Sequence, residues 1–179
     1  MKNLVKVVLF LAALCLASSL VLAQPVDSLA TCDVTVTVNT VMEWSAASYD
    51  DIVLDPITST TETPSGSSVF TLYTNCDCEI SATNTAAAQL QHEGPSTDTL
   101  VTEYQLAYDG DGFSDTGGTD ISSWIDYSTF LSPASAVTHV DGDGVVVITL
   151  SAQASSGGQV RDAGDYSAIQ TLTAAWTSN

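Results

Sequence analysis

Apolar and polar residues alternate with period two through most of this chain, and that rhythm restricts it to stacked β-sheets. Cys32, Val34, Val36 and Val38 share one parity while Asp33, Thr35, Thr37 and Asn39 take the other, which predicts a half-buried strand. From Val69 to Thr83 the pattern is unusually long. Phe70, Leu72, Thr74, Cys76, Cys78, Ile80 and Ala82 face one side, in one long strand or in two joined at Asn75-Cys76-Asp77. Leu100 to Tyr108 reads as a further strand. Val145 to Ala152 is a continuous run, as expected of a central strand covered on both faces. Tyr166 to Trp176 closes the chain with Tyr166, Leu172, Ala174 and Trp176 in register, Trp176 packing in the core.

Turn-forming stretches separate these runs: Thr58 to Ser68, Asp109 to Asp120, and Ser155 to Gly164. Asp141-Gly142-Asp143-Gly144 reads as a hairpin turn feeding Val145, because Asp-Gly supplies positive φ at little cost. Short strands, Gly/Pro/Ser punctuation and abundant Thr predict an all-β, antiparallel β-sandwich of one domain, without solenoid repeats.

The first 23 residues have another character. Lys2 and Lys6 precede an apolar run from Val7 to Leu22, and Val21-Leu22-Ala23 is a small-residue cleavage site, so residues 1–23 are expected to be a secretory signal peptide. The run is short for a membrane span and lacks a cationic flank after Gln24. The mature domain is then 24–179, with no membrane span after cleavage. Removing Lys2 and Lys6 leaves Arg161 against 21 carboxylates. Such a chain repels phosphate backbones and anionic lipid heads, which argues against nucleic-acid and membrane-surface partners. With no lysine left, Schiff-base chemistry and a phosphate-loop lysine are excluded.

Export makes a disulfide the default for the cysteines that survive cleavage, Cys32, Cys76 and Cys78. All three lie on inward parity, so Cys32 can reach either partner across a sandwich. Cys32–Cys76 is the expected bridge and Cys78 the alternative partner, since a Cys76–Cys78 bridge would bend a strand and close almost no loop. Closing a loop of this length contributes about 3–4 kcal/mol. A zinc site using these thiols with His92 or His139 is disfavoured: one intervening residue is too narrow, and neither histidine sits in a ligand pair.

Other chemistry is thinly represented. Asp109, Asp111 and Asp115 occupy positions 1, 3 and 7 of a Gly-rich loop, a partial calcium-loop pattern in which Phe113 stands where a further oxygen ligand belongs and Asp120 where a Glu does. An acidic surface loop is the plainer reading. Asp115-Thr116-Gly117 matches an aspartic-protease triplet, but one copy lacks the second carboxylate such chemistry shares a proton with. There is no Gly-x-Ser-x-Gly elbow and no Ser-x-x-Lys. Asp50 and Asp51, as neighbours on a strand, would point to opposite faces and fail as a glycosidase pair. Trp124 with Tyr127 is the aromatic pair best placed on a loop to stack a sugar. No catalytic residue, cofactor or metal ligand is therefore assigned, and a non-enzymatic role is expected.

One ordered set of short motifs stands out. It comprises the early Cys32, a strand opening Cys76-Asp77-Cys78-Glu79-Ile80-Ser81, and the segment Glu103-Tyr104-Gln105-Leu106-Ala107-Tyr108-Asp109. A late Val-rich strand follows, then Asp162-Ala163-Gly164-Asp165-Tyr166 ahead of the terminal strand. In this order the chain resembles the spore coat protein U and archaic chaperone–usher pilin family. The resemblance implies an Ig-like, pilin-like sandwich left incomplete at its sixth strand. In that family the missing strand is supplied by the N-terminal extension of the next subunit, through strand addition at a sheet edge. It further implies a secreted fimbrial or coat-like surface subunit acting in adhesion or biofilm, with self-association or other surface subunits, and a periplasmic chaperone and usher, as partners. A secreted calcium- or carbohydrate-binding module, using the Asp109–Asp120 loop and Trp124/Tyr127, is the alternative from a different class.

Overall fold

Three long strands carry the architecture of the computed structural model: β2 (Ser65–Thr74), β9 (Val145–Ser155) and β5 (Val101–Asp109). The structure describes residues 30–109, 119–137, 139 and 144–178; the expected signal peptide at 1–23 lies outside them. The chain divides into two units, 1–37 and 38–179.

Of the first unit, residues 30–37 are described, and they hold neither strand nor helix; each is exposed. This corrects the half-buried strand expected from Cys32 to Val38. Val34 is 88% and Val36 87% exposed, so the alternation is present but these valines cover nothing.

The second unit is an Ig-like antiparallel β-sandwich. In its larger sheet β1 (Met42–Trp44), β2, β9 and β5 lie side by side, and β6 (Thr119–Ile121) and β7 (Ile125–Asp126) both pair with β5. The second sheet has the order β11 (Leu172–Ser178), β3 (Asp77–Ala82), β8 (Ser135–Val137). A two-stranded clasp joins β10 (Tyr166–Ser167) to β4 (Gln91–His92). The registers run Leu72↔Val146 and Leu106↔Leu150 in the larger sheet and Ile80↔Ala174 in the smaller. These rows send Leu72, Ile148, Leu150 and Leu106 to meet Ile80, Cys78, Val137 and Leu172 in one core. Phe130, fully buried in the turn after β7, packs beside Tyr104 at 5.5 Å between ring centroids.

The run from Val69 to Thr83 resolves as two strands, and they belong to different sheets. β2 ends at Thr74 and β3 begins at Asp77, so the chain turns a corner at Asn75-Cys76 and crosses the sandwich. Parity survives the turn because inward for one sheet stays inward for the other, and Leu72, Thr74, Cys76, Cys78 and Ile80 are all buried. Local polar bonds hold the bend. Thr74 Oγ1 donates to the Cys76 carbonyl at 2.9 Å and accepts the Cys76 N–H at 3.2 Å. Asn75 substitutes for a neighbouring strand: Oδ1 accepts from Val41 N–H at 2.7 Å and Nδ2 donates to Asn39 O at 3.0 Å. Gly144 closes the corner from the far side with φ 67°. Its carbonyl accepts the Thr74 N–H at 2.8 Å, and a Cβ there would come within 2.6 Å of Thr74 O. The preceding residues 141–143, expected as the hairpin turn, lie outside the described residues.

Two strand expectations need correction. β9 is central, but its burial alternates strictly from Val145 to Ser155, so one face is half-exposed rather than covered. The terminal run is broken into β10 and β11. Trp176 pairs with Cys78 along the backbone yet is 55% exposed, so it is not the core residue expected.

Candidate functional site

β9 is eleven residues long while β3 has six, so part of the inner face of the larger sheet runs on past the smaller one. Thr102, Tyr104, Leu150 and Ala152 form the floor of the hollow left there, a groove of about 890 Å³. One wall is the chain from Trp44 to Leu54; the other is Leu90 with the segment from Tyr166 to Leu172. A second hollow of about 730 Å³ shares Ile52, Leu54, Leu90 and Tyr166 with the first and continues over Leu100, Ala154 and Arg161.

The first wall arises because β1 is too short to follow β2. After Trp44↔Leu72 the ladder ends with Ser45 N–H donating to Thr71 O at 2.8 Å, and the chain then leaves the sheet. It returns at residues 52–54, which approach β2 closely; a Cβ on Gly66 would meet Ile52 Cγ2 at 3.0 Å and Val53 O at 3.1 Å. Between these points Tyr49 stacks on Phe70 at 4.5 Å, with Trp44 tilted against the same ring at 5.4 Å. The Tyr49 hydroxyl donates to Gln170 O at 2.7 Å, tying one wall to the other, and burial pushes its pKa up.

The opposite wall hangs on the β4–β10 clasp. His92 and Tyr166 are backbone partners and their rings meet edge to face at 5.1 Å. His92 Nδ1 accepts Gly94 N–H at 2.8 Å, which leaves Nε2 to donate to Ala163 O at 3.3 Å. Asp98 anchors the loop behind it, accepting from Asp162 N–H at 2.8 Å and facing Arg161 at 4.0 Å. Beyond this wall, β11 pairs only with β3 among the described residues.

The residues singled out from sequence are scattered relative to this groove. Cys32 is exposed, Cys76 and Cys78 are buried, and all three are free thiols; the Cys32–Cys76 bridge therefore stands as a proposal. Burial, with Cys76 and Asp77 adding to it, pushes the Cys78 thiol up to about 11. Residues 110–118, with Asp111 and Asp115, lie outside the described residues, and among those described no three metal-ligating side chains gather. Trp124 is half-buried and Tyr127 packs against the core. Asp50 and Asp51 are both exposed at the mouth of the groove. His139 lies apart from His92; its backbone N–H donates to Asp77 Oδ1 at 2.8 Å while Ser178 Oγ donates to Oδ2 at 2.6 Å. Ser178 first and His139 second hold the Asp77 carboxyl below its ordinary range.

Sequence reasoning missed the groove. Its floor was legible as the inward row of β5 and β9, but its walls are irregular chain with no period to read. The available signal was the pair of large rings Trp44 and Tyr49, set in a stretch with no period to bury them.

No family model and no curated protein matches the chain. A solved structure from a chaperone–tip adhesin complex of CFA/I fimbriae biogenesis matches at 15% identity with a TM-score of 0.40. The match covers 78% of this chain and 42% of that one, so the chain spans less than half of that neighbour's length.

Proposed function

We propose that this protein is an exported, non-enzymatic structural subunit that assembles by strand addition into a fimbrial or coat-like surface polymer. One observation carries the reading: a sandwich with an apolar groove belongs to a chain that also presents an alternating segment with its valines uncovered. An apolar row left in water is costly at roughly 1.5–3 kcal/mol per valine-sized side chain, and a groove floored by Leu150 and Ala152 offers the complementary surface. Residues 39–41 are tied to Asn75 of their own domain, so the stretch of the expected mature chain ahead of that tie is residues 24–38. That is longer than the stretch 24–31 that remains if the Cys32 run is a strand of its own domain. Transit by a periplasmic chaperone and usher, and a role in adhesion or biofilm, follow from the resemblance of the motifs and are part of the same proposal.

The test is assembly itself. The secreted protein is expected to form a ladder of oligomers on size-exclusion chromatography and unheated gels. Val36→Asp, at a position 87% exposed, is expected to collapse that ladder to monomer and to change stability by less than about 0.5 kcal/mol. A wild-type chain that stays monomeric with a cooperative, high melting transition overturns the reading.

A further inference from the structure

Within the strap that forms the first wall, one side chain alone turns inward. Ser45, Ala46, Ala47 and Ser48 are exposed, Tyr49 is half-buried, and Asp50 and Asp51 are exposed again. The strap is fixed at both ends. Ser45 exchanges two bonds with Thr71, its N–H donating to Thr71 O and its Oγ accepting the Thr71 N–H at 3.2 Å, and residues 52–54 lie against Gly66. Between these ends its one hydrogen bond among the described residues is that of the Tyr49 hydroxyl to Gln170 O. That bond joins the two walls, so the Tyr49 side chain spans the hollow floored by Thr102, Tyr104, Leu150 and Ala152. Tyr104 registers it from below, since Tyr49 adds to the burial that pushes the Tyr104 hydroxyl up. The Tyr49 ring itself lies on Phe70, 14° from parallel. A pin flanked on both sides by solvated residues can swing out without disturbing the core, and gives up its own bond and stacking when it does.

We infer that Tyr49 is a latch on the groove: in the unassembled subunit it holds the place over the floor that an incoming strand takes, and the strand enters when Tyr49 swings out. The inference rests on the strand-addition reading. A strand lying along the floor needs the walls apart, whereas the bond from Tyr49 to Gln170 O holds them together at 2.7 Å. The form that admits a strand is therefore the minor one, and apparent affinity is reduced by its fraction. The latch governs entry. Once a strand is seated Tyr49 no longer touches Gln170, so release does not depend on its hydroxyl.

The experiment uses the full secreted chain carrying Val36→Asp, so that the native segment comes only as added peptide. A fluorescently labelled peptide of residues 24–38 is mixed with it by stopped flow and followed by anisotropy. Tyr49→Phe keeps the ring on Phe70 and removes the bond across the groove. It is expected to speed association about five- to tenfold while release stays within about twofold. Tyr49→Ser, which removes the ring as well, is expected to associate at least as fast as Tyr49→Phe. A residue that merely shaped the wall would do the reverse, leaving association level and hastening release. Association in Tyr49→Phe that is unchanged or slower overturns the inference and leaves strand addition standing. A peptide that binds neither the Val36→Asp chain nor its Tyr49 variants overturns both.

Discussion

Tyr104 shows how much one side chain on the groove floor does. It is 4% exposed, its ring packs on Phe130, and its hydroxyl donates to Ala88 O at 2.7 Å. Burial, with Tyr49 adding to it, pushes its pKa up to about 12. A phenol whose folded pKa lies above its unfolded one contributes stability that is whole below the unfolded value near 10. That contribution is lost as pH rises from about 10 towards 12. Tyr104→Phe is expected to cost about 1–2 kcal/mol at pH 7, by leaving Ala88 O unpaired, and to flatten the alkaline limb of the melting curve. Melting curves collected from pH 7 to 12 check both. The cysteines make a second case. Cys78, raised by burial, is a poor thiolate, whereas Cys76 sits at the corner with Sγ 4.0 Å from Val41 O. Non-reducing mass spectrometry of the secreted protein is expected to find Cys32 joined to Cys76, with Cys78 the minor partner. Three free thiols after export would refute the pairing.

Among the elements, the period of two told which side of each strand is buried but not what buries it. That is why the inward row from Leu72 to Ile80 was legible through the corner while the change of sheet at Asn75-Cys76 was not: parity is blind to a bend that keeps inward inward. The same blindness explains residues 32–38. Their alternation is as regular as that of β2, and nothing in it says whether a second sheet covers the apolar row. β5 was readable almost to the residue, Leu100 to Tyr108 expected and Val101–Asp109 found, because its pattern is bounded by turn residues. β10 and β11 were read as one strand. Their rows share a parity, and the break between them comes from Ile169 N–H and Gln170 O bonding away from the sheet, to Ala87 and Tyr49. Irregular walls held by single hydrogen bonds of this kind leave no periodic trace, so the groove could only be found in three dimensions.

At the scale of the whole molecule, charge dominates. Beyond residue 6 the chain carries Arg161 against 21 carboxylates, and self-repulsion of that size acts on the folded state and on any approach between copies. Millimolar calcium is expected to raise the melting temperature, and magnesium to do so as well, since diffuse screening needs no defined site. A shift given by calcium alone, and abolished by Asp111→Asn but not by Asp143→Asn, would instead establish a specific loop site. Assembly should likewise strengthen with ionic strength until repulsion is screened. The corner at Asn75-Cys76 bears on a different property, resistance to pulling. Because β2 and β3 are one unbroken backbone, a tensile load entering one sheet passes to the other along covalent bonds, and the core is spared sliding there. The load then falls lengthwise on the antiparallel ladder between β2 and β9, from Ser65↔Gln153 to Tyr73↔Val145, whose bonds must yield together rather than one at a time.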